Sequence, residues 1–374
     1  MKLRLYTVPA LFAAMVLSLP AQVVKNELKL PQVEGYTLLK CDFHTHTVFS
    51  DGAVWPTTRI DEAIAEGLDA IALTEHIEYR PKLDEFTSKD HNRSYELARK
   101  TAESNDILLI RGTEVTRRMA PGHFNAVFIK DANPFEGYVN PKDTRDGTNI
   151  AQTLQEARNQ DAFVFWNHPW FQHPENRSEW APVHEQIFRD GLIGGIEVVN
   201  GRRYDEVVFQ WCLDKNLAIL GTSDVHTPMN TDKGEYRSMT IVFAKDRSQD
   251  AILQALKNRE TVAYCRGSVY GREAQVRPLI ENSLQTKTVD ISPKQVRMEL
   301  TNTSGIPMRL KEVSATGCKP GIQSETGEFT LGAGDTVILR VNKDPKHNGE
   351  RSFVMHVENA LIAPGTALPV VFTL

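Results

Sequence analysis

The sequence contains few cysteines and no long basic run, and each of these absences excludes a class of protein. Only 4 of its 374 residues are cysteines, and no two of them form a C-x-x-C pair. This excludes a zinc ribbon and a thioredoxin-type redox centre. The net charge is −5, which argues against a broad phosphate-binding surface for a nucleic-acid polymer. A small anionic substrate that is met by metal ions is still compatible with this charge.

The first 21 residues have the composition of a signal peptide. Lys2 and Arg4 precede an apolar stretch from Leu5 to Leu19, and Ala21 is a small residue at the expected cleavage point. The stretch is shorter than the roughly 20 apolar residues that a membrane span needs, although an uncleaved anchor is the alternative. We expect a secreted or periplasmic bacterial protein without stable membrane insertion after cleavage. An oxidising compartment would permit a disulfide, but the sequence does not indicate which cysteines would pair.

Short apolar strands alternate with helices from residue 22 to about residue 275. Strands are expected at 38–43, 68–73, 107–110, 124–129, 162–166, 195–199, 217–220 and 239–244, and helices at 57–67, 92–105, 149–160, 204–216 and 248–259. This alternation is typical of βαβ units in a parallel sheet. About seven such strands over this length favour an α/β barrel of the TIM type, and an open doubly wound sheet is the alternative.

The pattern changes after about Arg272, because no helix is expected between there and Leu374. Short alternating strands at 296–300, 336–341, 352–357 and 369–374 are separated by Pro and Gly residues. This pattern predicts a small all-β sandwich. We therefore divide the mature chain into a first domain at residues 22–275 and a second at residues 276–374.

The stretch from residue 40 to 52, KCDFHTHTVFSDG, ends a predicted strand with two histidines and a carboxylate. Residues two apart in an extended segment point to the same side, so His44 and His46 can direct their imidazoles at one point. Asp51 follows five residues later. Imidazole and carboxylate groups are ligands of zinc, manganese and iron. Such a histidine pair is more often a surface feature, so it indicates a metal site only together with the residues that follow.

Further side chains of these types lie at or just beyond the ends of other predicted strands. They are His76, Glu114, His123, His168, Asp224 and His226. In a parallel α/β barrel the carboxyl ends of all strands meet at one mouth, so these residues would converge there. Six histidines and three carboxylates in this layer are hard to explain as structural accidents. The other histidines are interpreted as solvated or incidental: His91, His173, His184, His347 and His356.

The order of these motifs resembles the PHP (polymerase and histidinol phosphatase) superfamily over residues 38–270. The motifs are HTH with Asp51, TEH at 74–76, Glu114, GHFN at 122–125, NHP at 167–169 and SDVH at 223–226. The chain is most similar to secreted PHP metallohydrolases with a C-terminal β-domain. The resemblance implies a distorted (β/α)7 TIM-like barrel, which the all-β sandwich would follow.

The resemblance also implies two or three divalent metal ions. One ion would be held by His44, His46, Glu114 and Asp224; Glu114 would bridge to a second ion held with His123 and His168; a third would be held by Asp51, His76 and His226. Many members of the superfamily have histidine at the position of Asp51, which leaves the choice between zinc, manganese and iron open.

These residues predict a phosphoesterase that acts on a small phosphomonoester or phosphodiester. Two cations a few Å apart lower the pKa of a bridging water and supply hydroxide near neutral pH, and metals and nearby cations neutralise the phosphoryl oxygens. The candidate catalytic residues are Glu114, as the bridge, and Asp224 and His226, which could move a proton.

Several charged side chains near these motifs have two interpretations. The guanidinium groups of Arg117, Arg118, Arg202 and Arg203 match the geometry of phosphate, but they are equally compatible with solvated surface charge. Glu197 either orients a metal ligand or is a carboxylate at the edge of the core.

Two other functions are compatible with the same residues. A metal-activated hydroxide can also attack the carbon of a carbamate or a carboxylic ester. An arginine-rich pocket would favour phosphate, whereas a mouth walled by Trp and Phe without arginine would favour a neutral ester. The third function is a catalytically idle surface-binding protein, against which the complete ligand set argues. The sequence does not indicate the natural substrate or the oligomeric state.

Overall fold

The computed structural model describes residues 26–84, 88–229, 236–322 and 326–374 of the chain. The expected signal peptide, residues 1–21, lies outside the described residues. Within them the chain forms a mixed α/β part followed by an all-β part. A short 3₁₀ helix is present at Asn133–Tyr138.

Seven α-helices are formed by the described residues. They are α1 (Pro56–Ala65), α2 (Arg93–Ser104), α3 (Ile150–Asn159), α4 (Pro182–Arg189), α5 (Glu206–Asp214), α6 (Gln249–Asn258) and α7 (Glu273–Glu281). The five helices expected from the sequence are confirmed as α1, α2, α3, α5 and α6. The expectation of no helix after Arg272 is wrong, because α7 forms there even though it contains Pro278. A proline inside a helix ordinarily disrupts it, and this is why no helix was expected at α7.

The described residues of the first part of the chain form eleven strands. They are β1 (Thr37–Asp42), β2 (Ala70–Leu73), β3 (Leu108–Thr116), β4 (His123–Val127), β5 (Phe163–Trp166), β6 (Gly195–Asn200), β7 (Arg203–Tyr204), β8 (Ala218–Thr222), β9 (Met239–Ala244), β10 (Thr261–Cys265) and β11 (Ser268–Gly271). The pairs β1–β2, β2–β3, β5–β6 and β6–β8 are parallel, as expected. However, β4 runs antiparallel to β3 and β5, and β9 runs antiparallel to β1 and β10. The sheet is therefore mixed and not purely parallel.

The segments that follow β1 and β8 meet at one edge of this sheet. A bridge joins Thr45 to Val225. The backbone N–H of His46 donates to the carbonyl of Val225, and that of Asp224 donates to the carbonyl of His44. The ladders themselves form an open path that runs from β9 through β1 to β6, with β8 beside β6. The sheet is large and central, but closure into a (β/α)7 barrel is not confirmed.

Alternate residues of the central strands form one hydrophobic cluster. Leu39, Cys41 and Phe43 are buried together in it, because every second side chain of a strand lies on the same face. Residues from several other strands complete the cluster, among them Phe165 and Leu220. Cys41 is thus confirmed as a core residue, and all four cysteines of the chain are free.

The last part of the chain forms two antiparallel sets of strands, as expected for a sandwich. They are β12 (Leu284–Ser292), β13 (Gln295–Asn302), β14 (Met308–Thr316), β15 (Cys318–Gly321), β16 (Glu328–Leu331), β17 (Thr336–Lys343), β18 (Ser352–Ala363) and β19 (Thr366–Thr373). One sheet has the order β12-β13-β17-β15, and β14 and β18 pair in the other.

The all-β domain is joined to the central sheet by backbone hydrogen bonding. Strand β18 runs parallel to β11, with Val269 opposite Ala360 and Tyr270 opposite Leu361. Helix α7 contacts β10 and β11 on one side and β18 and β19 on the other. The domain boundary that we predict at residue 275 falls within α7, so the two domains share an extensive interface.

Candidate metal centre

The nine predicted ligand residues converge where the central strands end. His44 and His46 follow β1, His76 follows β2, and His168 follows β5. The others lie in β3, at the start of β4, after β8 and in the turn after β1: Glu114, His123, Asp224, His226 and Asp51. The sequence-distant side chains are therefore within a few Å of one another.

Glu114 lies at the middle of the cluster and is fully buried. Its Oε2 is 3.1 Å from Nε2 of both His44 and His46. Its Oε1 is 2.8 Å from Nδ1 of His123 and 3.7 Å from Nε2 of His168. One carboxylate thus presents its two oxygens to two separate histidine pairs, which is the arrangement of a bridging ligand.

Asp224 faces the same two groups from the opposite strand. Its Oδ1 is 3.1 Å from Nε2 of His44 and 3.3 Å from Nε2 of His46, and its Oδ2 is 3.7 Å from Nε2 of His168. The residue has a positive φ of 51°, which is uncommon for a residue other than glycine. The hydrogen bond from its N–H to the carbonyl of His44 holds this conformation.

Asp51 forms a third group with imidazoles on the outer side of the cluster. Its Oδ1 is 3.1 Å from Nε2 of His226, 3.4 Å from Nε2 of His76 and 3.9 Å from Nδ1 of His46. The turn that returns Asp51 to this position requires Gly52, since a Cβ there would lie 2.6 Å from the carbonyl carbon of His46.

The ligand atoms fall into four overlapping groups whose members all lie within 4.8 Å of one another. The groups are His44, His46 and Glu114; His44, His168 and Asp224; Glu114, His123 and His168; and His46, Asp51, His76 and His226. The third of these groups, Glu114, His123 and His168, is the ligand set that the sequence resemblance implies for the second ion. The group around Asp51 contains His46 in addition to the residues implied for the third ion. Asp224, which the resemblance assigns to the first ion together with His44, is also grouped with His168.

Three buried atoms of the cluster fit metal coordination better than hydrogen bonding. Oδ1 of Asp51, Oδ1 of Asp224 and Nε2 of His123 have no aligned hydrogen-bond partner in the part of the chain that the structure describes. Buried polar atoms are nearly always satisfied, so these three point to an additional group. Nitrogen and oxygen donors of this kind suit zinc, manganese and iron.

Glu197 orients two of these ligands from behind. Its Oε1 accepts hydrogen bonds from Nδ1 of His44 and from the hydroxyl of Thr222, each at 2.7 Å. Its Oε2 accepts from the backbone N–H of His168 at 2.8 Å and from Nδ2 of Asn200 at 2.9 Å. Of the two interpretations of Glu197, the structure supports the orienting one.

Glu75 supports His46 in a similar way and was not identified from the sequence. It accepts hydrogen bonds from the hydroxyl and the N–H of Thr47 and from the hydroxyl of Ser50. Oγ of Ser50 lies 3.2 Å from Nδ1 of His46. Glu75 directly precedes a predicted ligand in the motif TEH, and that position was the one available indication of its role.

The carboxylates of the cluster create a strong preference for positive charge. Burial opposes protonation of His44, but Asp224, Glu197 and Glu114 outweigh it and raise the pKa of His44 well above its usual value. Burial also opposes ionisation of Glu114, yet the neighbouring imidazoles hold its pKa well below the usual range. His123 is the exception, because burial lowers its pKa to about 4. A divalent cation would satisfy the same electrostatic demand.

Seven of the nine ligand residues line a pocket of about 300 Å³, with His44 and His46 buried beneath them. The pocket is also lined by Arg145, Tyr79, Trp170 and Phe171. The guanidinium carbon of Arg145 lies 5.0 Å from the centroid of the Tyr79 ring. Arg145 forms no ion pair with any described residue, and sequence reasoning missed it because it lies in a loop without periodicity.

The arginines predicted to bind substrate lie in different places. Arg117 is fully buried and pairs with Glu78, and Arg118 is exposed and pairs with Asp143 at 2.5 Å. Neither of them lines the pocket. Arg203 stacks on Trp170, with its guanidinium carbon 4.4 Å from the ring centroid. Arg202 lines a neighbouring cavity together with Asp224 and His226.

Two of the five histidines that we interpret as solvated or incidental, His184 and His91, are buried. The interpretation of these two as solvated is therefore wrong. His184 is fully buried and stacks on Trp166 at 3.9 Å between ring centroids. Its Nδ1 accepts from the N–H of Ala181, and its Nε2 faces the carbonyl of Pro121 at 2.8 Å. His91 is 9% exposed and its Nε2 lies 2.8 Å from Glu136. Short-range sequence patterns do not reveal such packing of a helical or loop histidine.

Comparison with known proteins places the chain in a family. A PHP domain model matches residues 42–173, and an Ig-like domain model matches residues 283–373. A crystal structure from Bacteroides vulgatus, described as a two-domain protein containing a predicted PHP-like metal-dependent phosphoesterase, matches with a TM-score of 0.85. The two sequences are 42% identical, and the match covers 94% of this chain and 99% of that one. This chain belongs to the PHP family.

Other matches to the PHP protein are more distant. A candidate metal-dependent phosphoesterase from Bifidobacterium adolescentis is 16% identical, with a TM-score of 0.42 over 58% of this chain and 96% of that one. A TM-score this low supports no functional argument. No curated protein matches the sequence.

This PHP protein therefore belongs to a family of metal-dependent hydrolases, and its C-terminal domain is Ig-like. The clustered histidines and carboxylates could hold metal ions. Among the described residues, no helix combines the length and the apolar character that a membrane crossing requires.

Proposed function

We propose that this PHP protein is a metal-dependent phosphoesterase that hydrolyses a small phosphomonoester or phosphodiester. The ions would be two or three divalent cations, with zinc, manganese and iron as candidates. The proposal includes export to the periplasm or the cell exterior, because the first 21 residues have the composition of a signal peptide. It also includes a distorted (β/α)7 barrel, which the bridge between Thr45 and Val225 supports.

The observation that carries the proposal is the presence of Arg145 in the pocket of the metal-ligand cluster. A guanidinium without an ion-pair partner beside a potential metal centre suits the non-bridging oxygens of a phosphoryl group. A neutral carbamate or carboxylic ester would leave this charge unmatched. The aromatic wall of Trp170 and Phe171 is compatible with either ester, so Arg145 is the feature that supports phosphate.

The chain supplies the ligands and fixes their geometry. Glu114, which both histidine pairs face, is the residue suited to bridge two ions. Divalent ions at such a site lower the pKa of bound water and neutralise phosphoryl oxygens. The side chains that orient His44 and His46, Glu197 and Ser50, keep their Nε2 atoms directed into the cluster.

The candidate catalytic residues Asp224 and His226 lie between the cluster and the open pocket. Nδ1 of His226 donates to the backbone carbonyl of Asp224 at 2.8 Å, which leaves the lone pair of Nε2 directed at Asp51. His226 is also the most exposed of the predicted ligand residues, at 35% of its side chain. His226 can hold an ion through Nε2 or, when that atom binds no ion, exchange a proton with the departing alcohol, but it cannot do both at once.

A hydrolysis panel tests this proposal. The mature chain from Gln22 would be loaded separately with manganese, zinc and iron and offered p-nitrophenyl phosphate, bis-p-nitrophenyl phosphate, a nitrophenyl carboxylate and a nitrophenyl carbamate. We expect turnover of a phosphate ester that is lost in His168→Ala and reduced in Arg145→Gln. Turnover restricted to the two carbon esters, or an Arg145→Gln variant with unchanged KM for phosphate, would overturn the phosphate assignment. Arg99→Gln, on the exposed face of α2, is the matched control.

A further inference from the structure

A second cavity, of about 540 Å³, adjoins the metal pocket where the two domains meet. We call it the interdomain chamber and define it by Arg202, Tyr264, Arg266 and Pro307. Asp224 and His226 line both the chamber and the metal pocket. A ligand with its phosphoryl group at the metal centre can therefore extend past His226 into the chamber.

Two of the arginines in the chamber have no counter-charge in the described residues. Arg202 and Arg266 are exposed, and neither forms an ion pair or a side-chain hydrogen bond there. Burial raises the pKa of the nearby Cys265 thiol, and Arg266 and Arg202 both act against this rise, so the two cations lie near one side chain. A third arginine, Arg237, differs because it is buried between Asp42 and Glu66.

The turn that carries Arg266 is held in place by the Ig-like domain. Arg266 and Gly267 connect β10 to β11, and both have positive φ, 48° and 80°. This is the conformation of a two-residue hairpin turn, for which Asn and Gly are the usual residues. Nδ2 of Asn359 donates to the carbonyls of both Gly267 and Pro307, which links the turn to the second domain.

An arginine in this turn position is conformationally unfavourable. The fold nonetheless places Arg266 in the wall of the chamber, and the hydrogen bonds of Asn359 hold the turn that carries it. The rest of the wall mixes polar side chains with apolar surface, to which Tyr264, Pro307 and Met229 contribute. Two arginines without an ion-pair partner among the described residues suit an anionic group, and the apolar part of the wall suits a short carbon chain that carries it.

We propose that the interdomain chamber binds the leaving-group part of the substrate and selects a leaving group that carries a second anionic group, carboxylate or phosphate. This inference rests on the proposed phosphoesterase function. In that reaction water supplies oxygen to phosphorus, the P–O bond to the leaving group breaks, and the departing alcohol takes a proton. Arg202 and Arg266 hold the far end of that alcohol, so they determine specificity without contacting the reacting atoms.

Three phosphate esters that differ only in the end of the chain test the proposal. They are butyl phosphate, 4-phosphooxybutanoate and butane-1,4-diol bisphosphate. We expect the wild-type protein to prefer the two esters whose chain ends in a second anionic group, with a kcat/KM about tenfold higher than for butyl phosphate. Arg202→Gln or Arg266→Asn should remove this preference and should change kcat/KM for butyl phosphate by less than roughly twofold. The ratio of kcat/KM for 4-phosphooxybutanoate and butane-1,4-diol bisphosphate shows whether the chamber prefers a carboxylate or a phosphate.

The variants are chosen so that misfolding cannot imitate the result. Arg266→Asn removes the charge while asparagine tolerates positive φ, and Arg266→Lys retains the charge. Arg99→Gln on α2 serves as a remote control. An equal loss on all three esters, or no preference in the wild-type protein, would overturn the proposal.

A binding measurement separates this proposal from the proposed function. Butylphosphonate, 4-phosphonobutanoate and butane-1,4-diphosphonate would be titrated calorimetrically into the metal-loaded protein. Tighter binding of the two probes that carry a second anionic group, lost in Arg266→Asn, supports the chamber even if no ester is hydrolysed, in which case only the phosphoesterase function fails. Equal affinity for the three probes overturns the chamber assignment even if phosphate esters are hydrolysed.

Discussion

Oε1 of Glu197 lies 2.7 Å from Nδ1 of His44, and both side chains are completely buried. This contact holds a proton of His44 on Nδ1 and directs Nε2 at Glu114 and Asp224. The same carboxylate also receives the backbone N–H of His168. Glu197 therefore couples the orientation of one ligand to the backbone position of another.

Glu197→Gln should weaken metal binding without removing a ligand. The amide cannot accept from His44 and Thr222 on one oxygen and from His168 and Asn200 on the other. We expect a loss of about 10- to 100-fold in affinity for one ion, measured by competition with a chelator of known affinity. Glu103→Gln, on the exposed end of α2, is the control and should bind metal as the wild-type protein does. Unchanged affinity in Glu197→Gln would contradict the orienting role.

Thr116→Val should affect the ion beside Asp51 selectively. Oγ1 of Thr116 is 2.6 Å from Nδ1 of His76, and valine keeps the shape but cannot form this hydrogen bond. We expect the ion beside Asp51 to lose affinity by about tenfold, seen as a lower metal content after dialysis, and Thr116→Ser should restore it. Thr330→Val on β16 controls for the substitution itself. Full metal content in Thr116→Val would show that His76 does not depend on this contact.

His184 should make the fold sensitive to acid. Burial lowers its pKa to about 4, below the value of about 6.5 of an unfolded histidine. The unfolded state therefore binds the extra proton first as the pH falls. The stabilisation is complete above pH 6.5 and is lost progressively down to about pH 4, by roughly 3 kcal/mol in total.

Urea unfolding at several pH values tests this expectation. Protonation of Nδ1 of His184 would oppose the N–H of Ala181, which it accepts in the native state. The variant His184→Gln should be less stable at pH 8 but should lose less free energy of unfolding between pH 6.5 and pH 4. Parallel pH curves for the two proteins would contradict a neutral buried His184.

Asn359→Ala should destabilise the contact between the domains. Asn359 is buried, its Nδ2 donates to the carbonyls of Gly267 and Pro307, and its Oδ1 accepts from the N–H of Arg309. Removal of the amide leaves three buried backbone groups without this partner, which should cost about 2 to 4 kcal/mol. Thermal unfolding of Asn359→Ala and of the exposed control Asn258→Ala measures the difference. Equal melting temperatures would show that other contacts hold the turn.

The convergence of the nine ligand residues could be predicted from the sequence, for a physical reason. Most of them follow the end of a strand, so that a local pattern of apolar residues followed by His or Asp predicts the position, whereas Glu114 lies within β3 and His123 begins β4. The HTH segment after β1 and the NHP segment after β5 are examples. Their assignment as ligands of particular ions stays a prediction.

Strand direction and long-range contacts could not be predicted in the same way. The apolar run at 124–129 indicates a strand, but nothing in it indicates that β4 runs antiparallel to β3. Arg145 lies in a loop, and its proximity to the cluster depends on the path of the whole segment. Arg117 follows a ligand strand, as a substrate ligand could, but its side chain is buried against Glu78.

The most direct test of the account is the dependence of turnover on bound metal. The purified chain would be stripped with a chelator, checked by elemental analysis, and returned to activity by stepwise addition of manganese, zinc or iron. The account predicts no hydrolysis of a phosphate ester in the stripped protein and a rise to a plateau at two or three ions per chain, with Glu114→Gln below that plateau at every step. Hydrolysis that is independent of added metal, or a chain that retains no ion, would contradict it.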